Sequence, residues 1–316
     1  MKVVVTGGAG FVGSNLTRNL ISRGHEVIIV DDLSTGLADN VPTGVKFVRS
    51  SILDKDLIGK VISKSDVVVH LAARGSVPRS IKNPVATHEV NSIGTLNVLE
   101  CARAVNAHFI FSSSSSVYGA NTTLPKTEDM VLKPLTPYAA SKMAGEALSL
   151  AYAHSYELPV TTFRFFNIYG PWQRPDHEYA AVIPKWIWQA ISGQEIVVYG
   201  QGEQTRDFTS VSTVVEILVT TLENKFCHPQ PINLAFGNRI SLNEVLRNLK
   251  MHFPDIRIVH KEARLGDVKD SQNQPDLVKS YFPKIKPKEF KDGLPETIDW
   301  LVENLNRITN GPMAPN

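Results

Sequence analysis

The stretch Val3-Val4-Val5-Thr6-Gly7-Gly8-Ala9-Gly10-Phe11-Val12-Gly13 decides the fold of this chain of 316 residues. A β-branched run leads into glycines at positions 7, 10 and 13, and Leu16 and Leu20 then continue a helical spacing that Gly24 ends. Strand, glycine turn and helix in this order are typical of the first βα unit of a dinucleotide-binding sheet. Glycines let the backbone approach a pyrophosphate closely, and the helix N terminus supplies amides and partial positive charge.

The rest of the first half alternates short β-branched runs with helical patterns. That alternation indicates βαβ units around a parallel sheet, so the sequence predicts an α/β fold with a Rossmann-type doubly wound sheet. Its strands are predicted at Val3–Val5, Val27–Val30, Lys46–Val48, Val67–His70, Phe109–Phe111 and Val160–Phe163.

The sequence changes character after Arg164. Residues Asn167 to Pro175 are polar, aromatic and turn-rich, which indicates substrate-binding insertions rather than a further βα repeat. A helical spacing returns between Val211 and Leu222, and a last helix is predicted after Pro295. We therefore expect a dinucleotide-binding domain over residues 1–165, completed by a returning segment near 205–235. A smaller α/β substrate-binding domain is expected over residues 166–204 and 236–316.

Composition excludes several classes of partner. Charged residues make up 20% of the chain and the formal net charge is +2, so neither nucleic acid nor a membrane surface is expected as a partner. The distant Cys101 and Cys227 predict neither a disulfide framework nor a metal site, which favours a reducing cytoplasm. The first strand directly follows Met1 and Lys2, so no leader segment is expected, and no apolar run is long enough to span a bilayer.

Asp31 identifies the dinucleotide. It falls at the end of the second predicted strand, eighteen residues after Gly13, and no arginine follows it closely. A carboxylate in this place accepts hydrogen bonds from the ribose hydroxyls and repels a 2′-phosphate. The sequence therefore predicts NAD rather than NADP.

Tyr138-Ala139-Ala140-Ser141-Lys142 is a candidate acid/base unit. One helical turn brings the phenol and the ammonium group to the same face. Lowering a tyrosine pKa from about 10 to about 7 requires roughly 4 kcal/mol, and a lysine about 4 Å away in a partly shielded cleft supplies that order of energy. We therefore expect a phenol that exchanges protons near neutral pH.

These elements occur in an order that resembles a known family. Along the chain they are the glycine turn, Asp31, His70-Leu71-Ala72-Ala73, Asn91, the serines 112 to 116 before Val117-Tyr118-Gly119, and Tyr138-x-x-x-Lys142. The chain resembles the extended short-chain dehydrogenase/reductases of the NAD-dependent epimerase/dehydratase type, and it looks most like their UDP-sugar 4-epimerases. The resemblance covers nearly the whole chain.

The resemblance implies a catalytic set of Ser114, Tyr138 and Lys142. Tyr138 would take the proton of the sugar O4, Ser114 would hydrogen-bond that oxygen, and Lys142 would bind the nicotinamide ribose. The implied NAD contacts are Gly7, Gly10, Phe11, Val12, Gly13, Asp31, Asp32, Ser34, Thr35, Gly36, Ser51, Ile52, Leu71, Ala72, Ala73, Asn91, Ser112, Tyr138, Lys142 and Phe166. The implied UDP-sugar contacts are Ser76, Ser114, Ser116, Asn167, Arg174, Val182, Tyr199, Arg206, Arg264, Asp267 and Ser271.

Residues beside Ser114 discriminate among relatives. Sugar-nucleotide dehydratases of this family carry Asp-Glu where the chain has Ser115-Ser116, and glucuronate decarboxylases carry Glu in the second position. With hydroxyls only, elimination of water lacks its acid and base, which favours epimerisation. Two departures concern NAD: Ser51 replaces the aspartate that usually faces adenine, and Gly75 replaces a lysine found near the nicotinamide in some epimerases.

The sequence leaves the sugar open. The small Ser271 lies where bulky residues exclude N-acetyl groups in related epimerases, so UDP-N-acetylhexosamines are expected to fit beside UDP-glucose and UDP-galactose. A rival interpretation pairs Arg174 with the C6 carboxylate of UDP-glucuronate.

Two other classes stay open, a net NAD-dependent oxidoreductase or dehydratase and a non-catalytic dinucleotide-binding regulator. The resemblance also implies a homodimer, formed through the helices after Pro84 and around Tyr138.

Overall fold

The computed structural model describes residues 1–176, 180–262 and 270–310. Numbered along the chain, the strands are β1 Lys2–Thr6, β2 Glu26–Asp31, β3 Lys46–Arg49, β4 Val67–His70, β5 His108–Ser114, β6 Val160–Phe165, β7 Asn167–Tyr169, β8 Ile196–Tyr199, β9 Thr205–Arg206, β10 Phe208–Ser210, β11 Ile232–Leu234, β12 Ile240–Ser241 and β13 Ile258–Lys261.

The helices of the described residues surround these strands. They are α1 Phe11–Ser22, α2 Lys55–Ile62, α3 Val77–Lys82, α4 Pro84–His88, α5 Thr95–Ala104, α6 Pro137–Tyr156, α7 Val182–Ile191, α8 Val211–Glu223, α9 Leu242–His252, α10 Asp276–Tyr281 and α11 Phe290–Asn310. Shorter helical segments are Ala38–Asn40, the π-helical Glu89–Gly94 and the 3₁₀ turn Ser115–Tyr118. In this part of the chain no helix combines the length and the apolar character needed to cross a membrane.

Seven strands form one parallel sheet in the order β11-β6-β5-β4-β1-β2-β3. From β1 the chain first builds outward through β2 and β3, and then returns to add β4, β5, β6 and β11 on the other side. The predicted Rossmann-type doubly wound fold is therefore confirmed. Ligands of such sheets bind outside the carboxyl ends of the strands, at the point where the strand order reverses.

Alternating side chains of β1 belong to two hydrophobic cores. Val3 and Val5 pack with α1 and α8, and Val4 packs with α2, α5 and α6, because successive side chains of a strand point to opposite faces. A third core of buried residues, all from positions 169–301, joins α7, β8, α9 and α11. Such a separate core suits a second domain, and we keep the predicted domain boundaries as a proposal.

The structure corrects three local predictions. Strand β5 extends to Ser114, so the first three serines of the run are strand residues. The segment predicted as turns begins with a short strand, β7, which pairs with β10. Helix α11 begins at Phe290, ahead of Pro295. Burial of Phe290, Leu294, Ile298 and Leu301 on one face of α11 outweighs the roughly 3 kcal/mol that an internal proline costs a helix.

Candidate active site

The glycine turn lies between the carboxyl end of β1 and the start of α1. Gly7 has φ of +73°, in the left-handed region that favours glycine, and a Cβ on Gly13 would lie 2.2 Å from the Gly7 carbonyl oxygen. No side chain caps α1 at Gly10, and the first turn of the helix contains no acidic residue. The first amides of α1 therefore suit an anionic diphosphate.

Asp31 is buried beside this turn, at the carboxyl end of β2. Its Oδ2 accepts a hydrogen bond from the Ala9 amide at 3.0 Å, and its Oδ1 accepts one from the Leu33 amide at 2.8 Å. Burial raises the pKa of the carboxyl group, and these two hydrogen bonds lower it. The glycine turn and the fixed carboxylate together fit the diphosphate and adenosine ribose of NAD.

A cleft of about 480 Å³ joins this cradle to the candidate catalytic residues. The predicted site residues that line it are Gly7, Gly10, Phe11, Val12, Gly13, Asp31, Asp32, Ser34, Thr35, Ile52, Leu71, Ala72, Ala73, Ser112, Ser114, Tyr138, Lys142, Phe166 and Arg174.

Three predicted NAD contacts are not among the residues that line the cleft. Gly36 packs so closely on Ala9 that a Cβ there would lie 2.9 Å from the Ala9 carbonyl carbon. The Ser51 hydroxyl accepts a hydrogen bond from the Leu53 amide. Asn91 accepts from the Arg74 amide at 2.7 Å and donates to the Ser141 hydroxyl at 2.9 Å, so it fastens the loop after β4 to α6. Their contact with NAD stays a prediction.

The candidate catalytic residues come from β5 and the first turns of α6. The Thr136 hydroxyl caps α6, and Lys142, four residues after Tyr138, donates from Nζ to the Ser112 carbonyl oxygen at 2.7 Å. Burial lowers the pKa of Lys142 to about 8. Burial also raises the pKa of Tyr138, and a hydrogen bond from Ser114 lowers it.

This electrostatic result differs from the sequence prediction, which expected Lys142 to bring the phenol pKa near neutrality. The lysine is itself held by a strand carbonyl and is destabilised as a cation, and burial is the larger influence on the pKa of Tyr138. The protein alone therefore favours a neutral phenol.

A buried ion pair lies next to the serines of β5. Glu146 and Arg164 join α6 to β6 with an Nη2–Oε1 distance of 2.7 Å, and each side chain is 4% exposed. Ser113 donates to Glu146 at 2.6 Å, and Arg164 donates to the Tyr118 hydroxyl at 2.8 Å. Every charge in this group is therefore paired, as a buried ion pair requires.

The segment after β6 completes the cleft. Trp172 has φ of +71°, and the guanidinium of Arg18 on α1 lies 3.6 Å from the centre of its ring. Arg174 lines the cleft but forms a two-point ion pair with Asp176, and its Nε lies 2.9 Å from Oδ1. The positive charge of Arg174 is therefore compensated within its own loop.

Most of the predicted UDP-sugar contacts lie outside this lining. Arg206 and Ser271 are neighbours, because the Arg206 side chain and the Ser271 amide both donate to the Thr205 carbonyl, at 2.9 and 3.1 Å. Ser116 donates to Ser114, and Ser76 caps α3. The others are Asn167 in β7, Val182 at the start of α7 and Tyr199 in β8. Arg264 and Asp267 lie outside the described residues.

Further lining residues were missed by the sequence predictions. Arg74 directly continues the Leu71–Ala73 segment, so the motif itself offered a signal for it, and Gly75 lines the cleft at the position that the resemblance places near the nicotinamide. Asn40, whose side chain donates to the Ala9 carbonyl at 3.0 Å, had no such signal. The remaining residues of this group are Val30, Ser50, Arg79, Val90, Ser113, Phe165, Ile168, Trp172, Gln173 and Ala181.

Comparison with known proteins agrees with this site. Residues 3–235 match the family described as the NAD dependent epimerase/dehydratase family. The chain therefore belongs to that family, and its cofactor is NAD.

Individual relatives within the family differ in activity. The chain is 38% identical to the UDP-glucose 4-epimerase of Mycolicibacterium smegmatis, over 95% of this chain and 98% of that protein. It is 35% identical to the UDP-N-acetyl-alpha-D-glucosaminuronate decarboxylase of Bacillus cytotoxicus, over 96% of this chain and 98% of that protein. The relatives therefore act on nucleotide sugars but do not share one reaction.

A solved structure also matches nearly the whole chain. The UDP-N-acetylglucosamine 4-epimerase from Methanobrevibacter ruminantium M1, in complex with UDP-N-acetylmuramic acid, is similar with a TM-score of 0.90 and 34% identity. The match covers 96% of this chain and 98% of that chain.

Proposed function

We propose that this protein is an NAD-dependent 4-epimerase of UDP-hexoses, acting on UDP-glucose and UDP-galactose and on their N-acetylated counterparts. The observation that carries the proposal is the distribution of carboxylates. Among the described residues that line the cleft, Asp31 and Asp32 are the only acidic ones, and both follow β2 in the cofactor cradle. The serines beside Tyr138 offer hydroxyl groups, so an acid/base pair for elimination is missing there among the described residues.

Each residue of the catalytic set has a defined part in epimerisation. When bound, NAD would accept the C4 hydrogen as a hydride and give the hydride back, and its positive charge would favour the phenolate form of Tyr138. The Tyr138 oxygen takes the proton from the sugar O4 and later gives it back, so no proton is consumed. Ser114 donates a hydrogen bond to O4, and Lys142 adds positive charge from the same helix face.

The ion pair at Arg174 favours a neutral sugar. Recognition of a C6 carboxylate requires a guanidinium whose charge is available, and the guanidinium of Arg174 is shared with Asp176, with side-chain exposures of 12% and 13%. UDP-glucuronate would have to displace Asp176 before it could form this contact. We therefore rank the UDP-glucuronate 4-epimerase activity second.

Access for an N-acetyl group is a finer part of the proposal. Ser271 is half-buried beside Arg206 and lies outside the cleft lining. Replacing Ser271 with Tyr is expected to reduce turnover of UDP-N-acetylglucosamine more than that of UDP-glucose. Equal loss on both sugars would remove Ser271 from the specificity argument.

One experiment tests the reaction itself. The purified protein is incubated with UDP-galactose and NAD, and the products are followed by NMR. Conversion to UDP-glucose without net NADH is expected, whereas NADH accumulation or loss of water would point to an oxidoreductase or a dehydratase. Absence of turnover with UDP-glucose, UDP-N-acetylglucosamine and UDP-glucuronate, assayed side by side, would contradict the proposal.

The assembly and the location are also proposals. Ile81 on α3 and Val85 on α4 are 64% and 66% exposed, unusual for large apolar side chains, and both helices adjoin α6. These positions support a homodimer formed through this face, and a Val85→Glu variant is expected to sediment as a monomer. The free Cys101 and Cys227 support the cytoplasm as its location.

A further inference from the structure

Ser114 makes an unsymmetrical set of hydrogen bonds at the end of β5. Its Oγ accepts from the Ser116 amide at 3.2 Å and from the Ser116 hydroxyl at 2.9 Å. The same Oγ caps the 3₁₀ turn Ser115–Tyr118 that follows the strand. Two donors therefore reach the Ser114 oxygen from its own turn.

A serine hydroxyl has two acceptor lone pairs and one proton. With Ser116 occupying the acceptor side twice, the proton of Ser114 is left to be donated elsewhere. Ser114 lines the cleft together with Tyr138 and lowers the pKa of that phenol, whereas Ser116 is half-buried and lies outside the lining. Ser116 therefore contacts Ser114 without itself lining the cleft.

We propose that Ser116 is a positioning residue whose amide and hydroxyl orient the Ser114 proton toward Tyr138 and the sugar O4. The inference rests on the proposed 4-epimerase function and reassigns Ser116, which the sequence placed among the substrate contacts. A donor held in this direction stabilises negative charge on either oxygen without reorganising during the reaction. The hydroxyl at position 116 therefore contributes to catalysis without touching the sugar.

Three variants separate positioning from other roles. Ser116→Ala removes the hydroxyl donor and keeps the amide, Ser116→Thr keeps both, and Ser115→Ala is the matched control at the adjacent residue. Among the described residues the structure records no side-chain hydrogen bond for Ser115, so loss of its hydroxyl is expected to leave Ser114 unchanged.

The first readout is the ionisation of Tyr138 in the NAD-loaded protein without sugar. The phenol is titrated by ultraviolet difference absorbance, with Tyr138→Phe as the blank for the other seven of the eight tyrosines. Ser116→Ala is expected to raise the apparent pKa of the phenol by about one pH unit, since an oriented donor that favours the phenolate is lost. Ser116→Thr and Ser115→Ala are expected to titrate as the unmodified protein does.

The second readout is turnover of UDP-galactose. Ser116→Ala is expected to lower kcat about tenfold with KM unchanged. Its pH–rate profile is expected to shift to higher pH, as the phenol titration does. Ser116→Thr is expected to restore most of the rate.

Two results would overturn the proposal. One is a Ser116→Ala protein whose phenol titrates like that of Ser115→Ala. The other is a higher KM at constant kcat, which would mean that Ser116 contacts the sugar directly. If no UDP-hexose is turned over, the proposed function fails, but the phenol titration still decides whether Ser116 orients Ser114.

Discussion

Two parts of the cleft lining hold their charged groups in different ways. The strand wall consists of the carboxyl ends of β1, β2, β4 and β5 together with the start of α6. There, the charged side chains of α6 bond to distant segments: Lys142 bonds to β5 and Glu146, further along the helix and outside the lining, bonds to β6. The loop wall consists of residues 165–174, and its charged Arg174 pairs only two residues away, with Asp176. Changes in the strand wall should therefore cost rate and stability, and changes at Arg174 should alter selectivity alone.

The largest effect is expected from Tyr138→Phe, in the strand wall. Loss of the phenol oxygen removes the group that exchanges the O4 proton, so the epimerisation rate should fall by about 10²- to 10⁴-fold. NAD binding should persist, because the glycine turn and Asp31 are unchanged. Initial rates measure the first effect, and calorimetric titration with NAD measures the second. A variant that kept more than a tenth of the rate would contradict the assignment of Tyr138.

Glu146→Gln tests whether the strand wall depends on its buried ion pair. The neutral amide leaves the guanidinium of Arg164 unpaired in a buried place, and the free energy of unfolding should fall by about 3–5 kcal/mol. Urea denaturation measures the change. Glu26→Gln is the matched control, since the exposed pair of Glu26 with Lys2, 3.8 Å apart, should contribute less than about 1 kcal/mol.

The double variant Glu146→Met with Arg164→Met separates stability from positioning. Apolar residues of similar volume should recover much of the lost stability, because no buried charge is left unpaired. The epimerisation rate of the double variant is expected to be lower than that of the unmodified protein, since Ser113 loses the partner that ties β5 to α6. Full activity in the double variant would mean that the ion pair is not needed to position the serines.

Lys142 gives the strand wall a pH dependence. Its pKa is lowered from 10.5 to about 8 by burial, so between these pH values the unfolded chain binds a proton that the folded protein has released. The free energy of unfolding of the NAD-free protein should therefore rise between pH 8 and pH 10.5, by roughly 3 kcal/mol at most. Urea denaturation of Lys142→Met should lack this rise, and all other titrating groups are common to both proteins. An identical pH dependence would contradict the lowered pKa.

The smallest effect on stability is expected in the loop wall, from Asp176→Asn. The substitution releases the guanidinium of Arg174, so the rate on UDP-glucuronate relative to UDP-glucose should increase by roughly fivefold to tenfold. The free energy of unfolding should fall by less than for Glu146→Gln, because Arg174 lines the cleft and its side chain is 12% exposed, so solvent can partly compensate its charge. Adding Arg174→Met should abolish the gain. A loss of stability as large as that of Glu146→Gln would erase the distinction between the two walls.

Much of the strand wall was predictable because it depends on local spacing. The glycine turn, Asp31 and the Tyr138–Lys142 pair occur at fixed intervals relative to strands and helices, and the parallel sheet brings the strand ends together. The raised phenol pKa of the NAD-free protein was not predicted, because spacing along a helix does not reveal desolvation. In the loop wall Phe166, Asn167 and Arg174 were predicted as contacts, and of these Phe166 and Arg174 line the cleft. No sequence pattern predicted the lining position of Trp172, a non-glycine residue with positive φ.

The sequence by itself determined the doubly wound sheet and NAD as the cofactor, and it predicted Tyr138 and Lys142 as the acid/base pair, since each rests on residue types at regular intervals along the chain. Only the tertiary structure decided what surrounds them. There, Glu146 pairs with Arg164, and Arg174 pairs with Asp176. Ser116, which was predicted as a sugar contact, donates a hydrogen bond to Ser114. The physical reason is that burial, ion pairing and hydrogen-bond direction depend on which segments meet in space, and no spacing rule reports that.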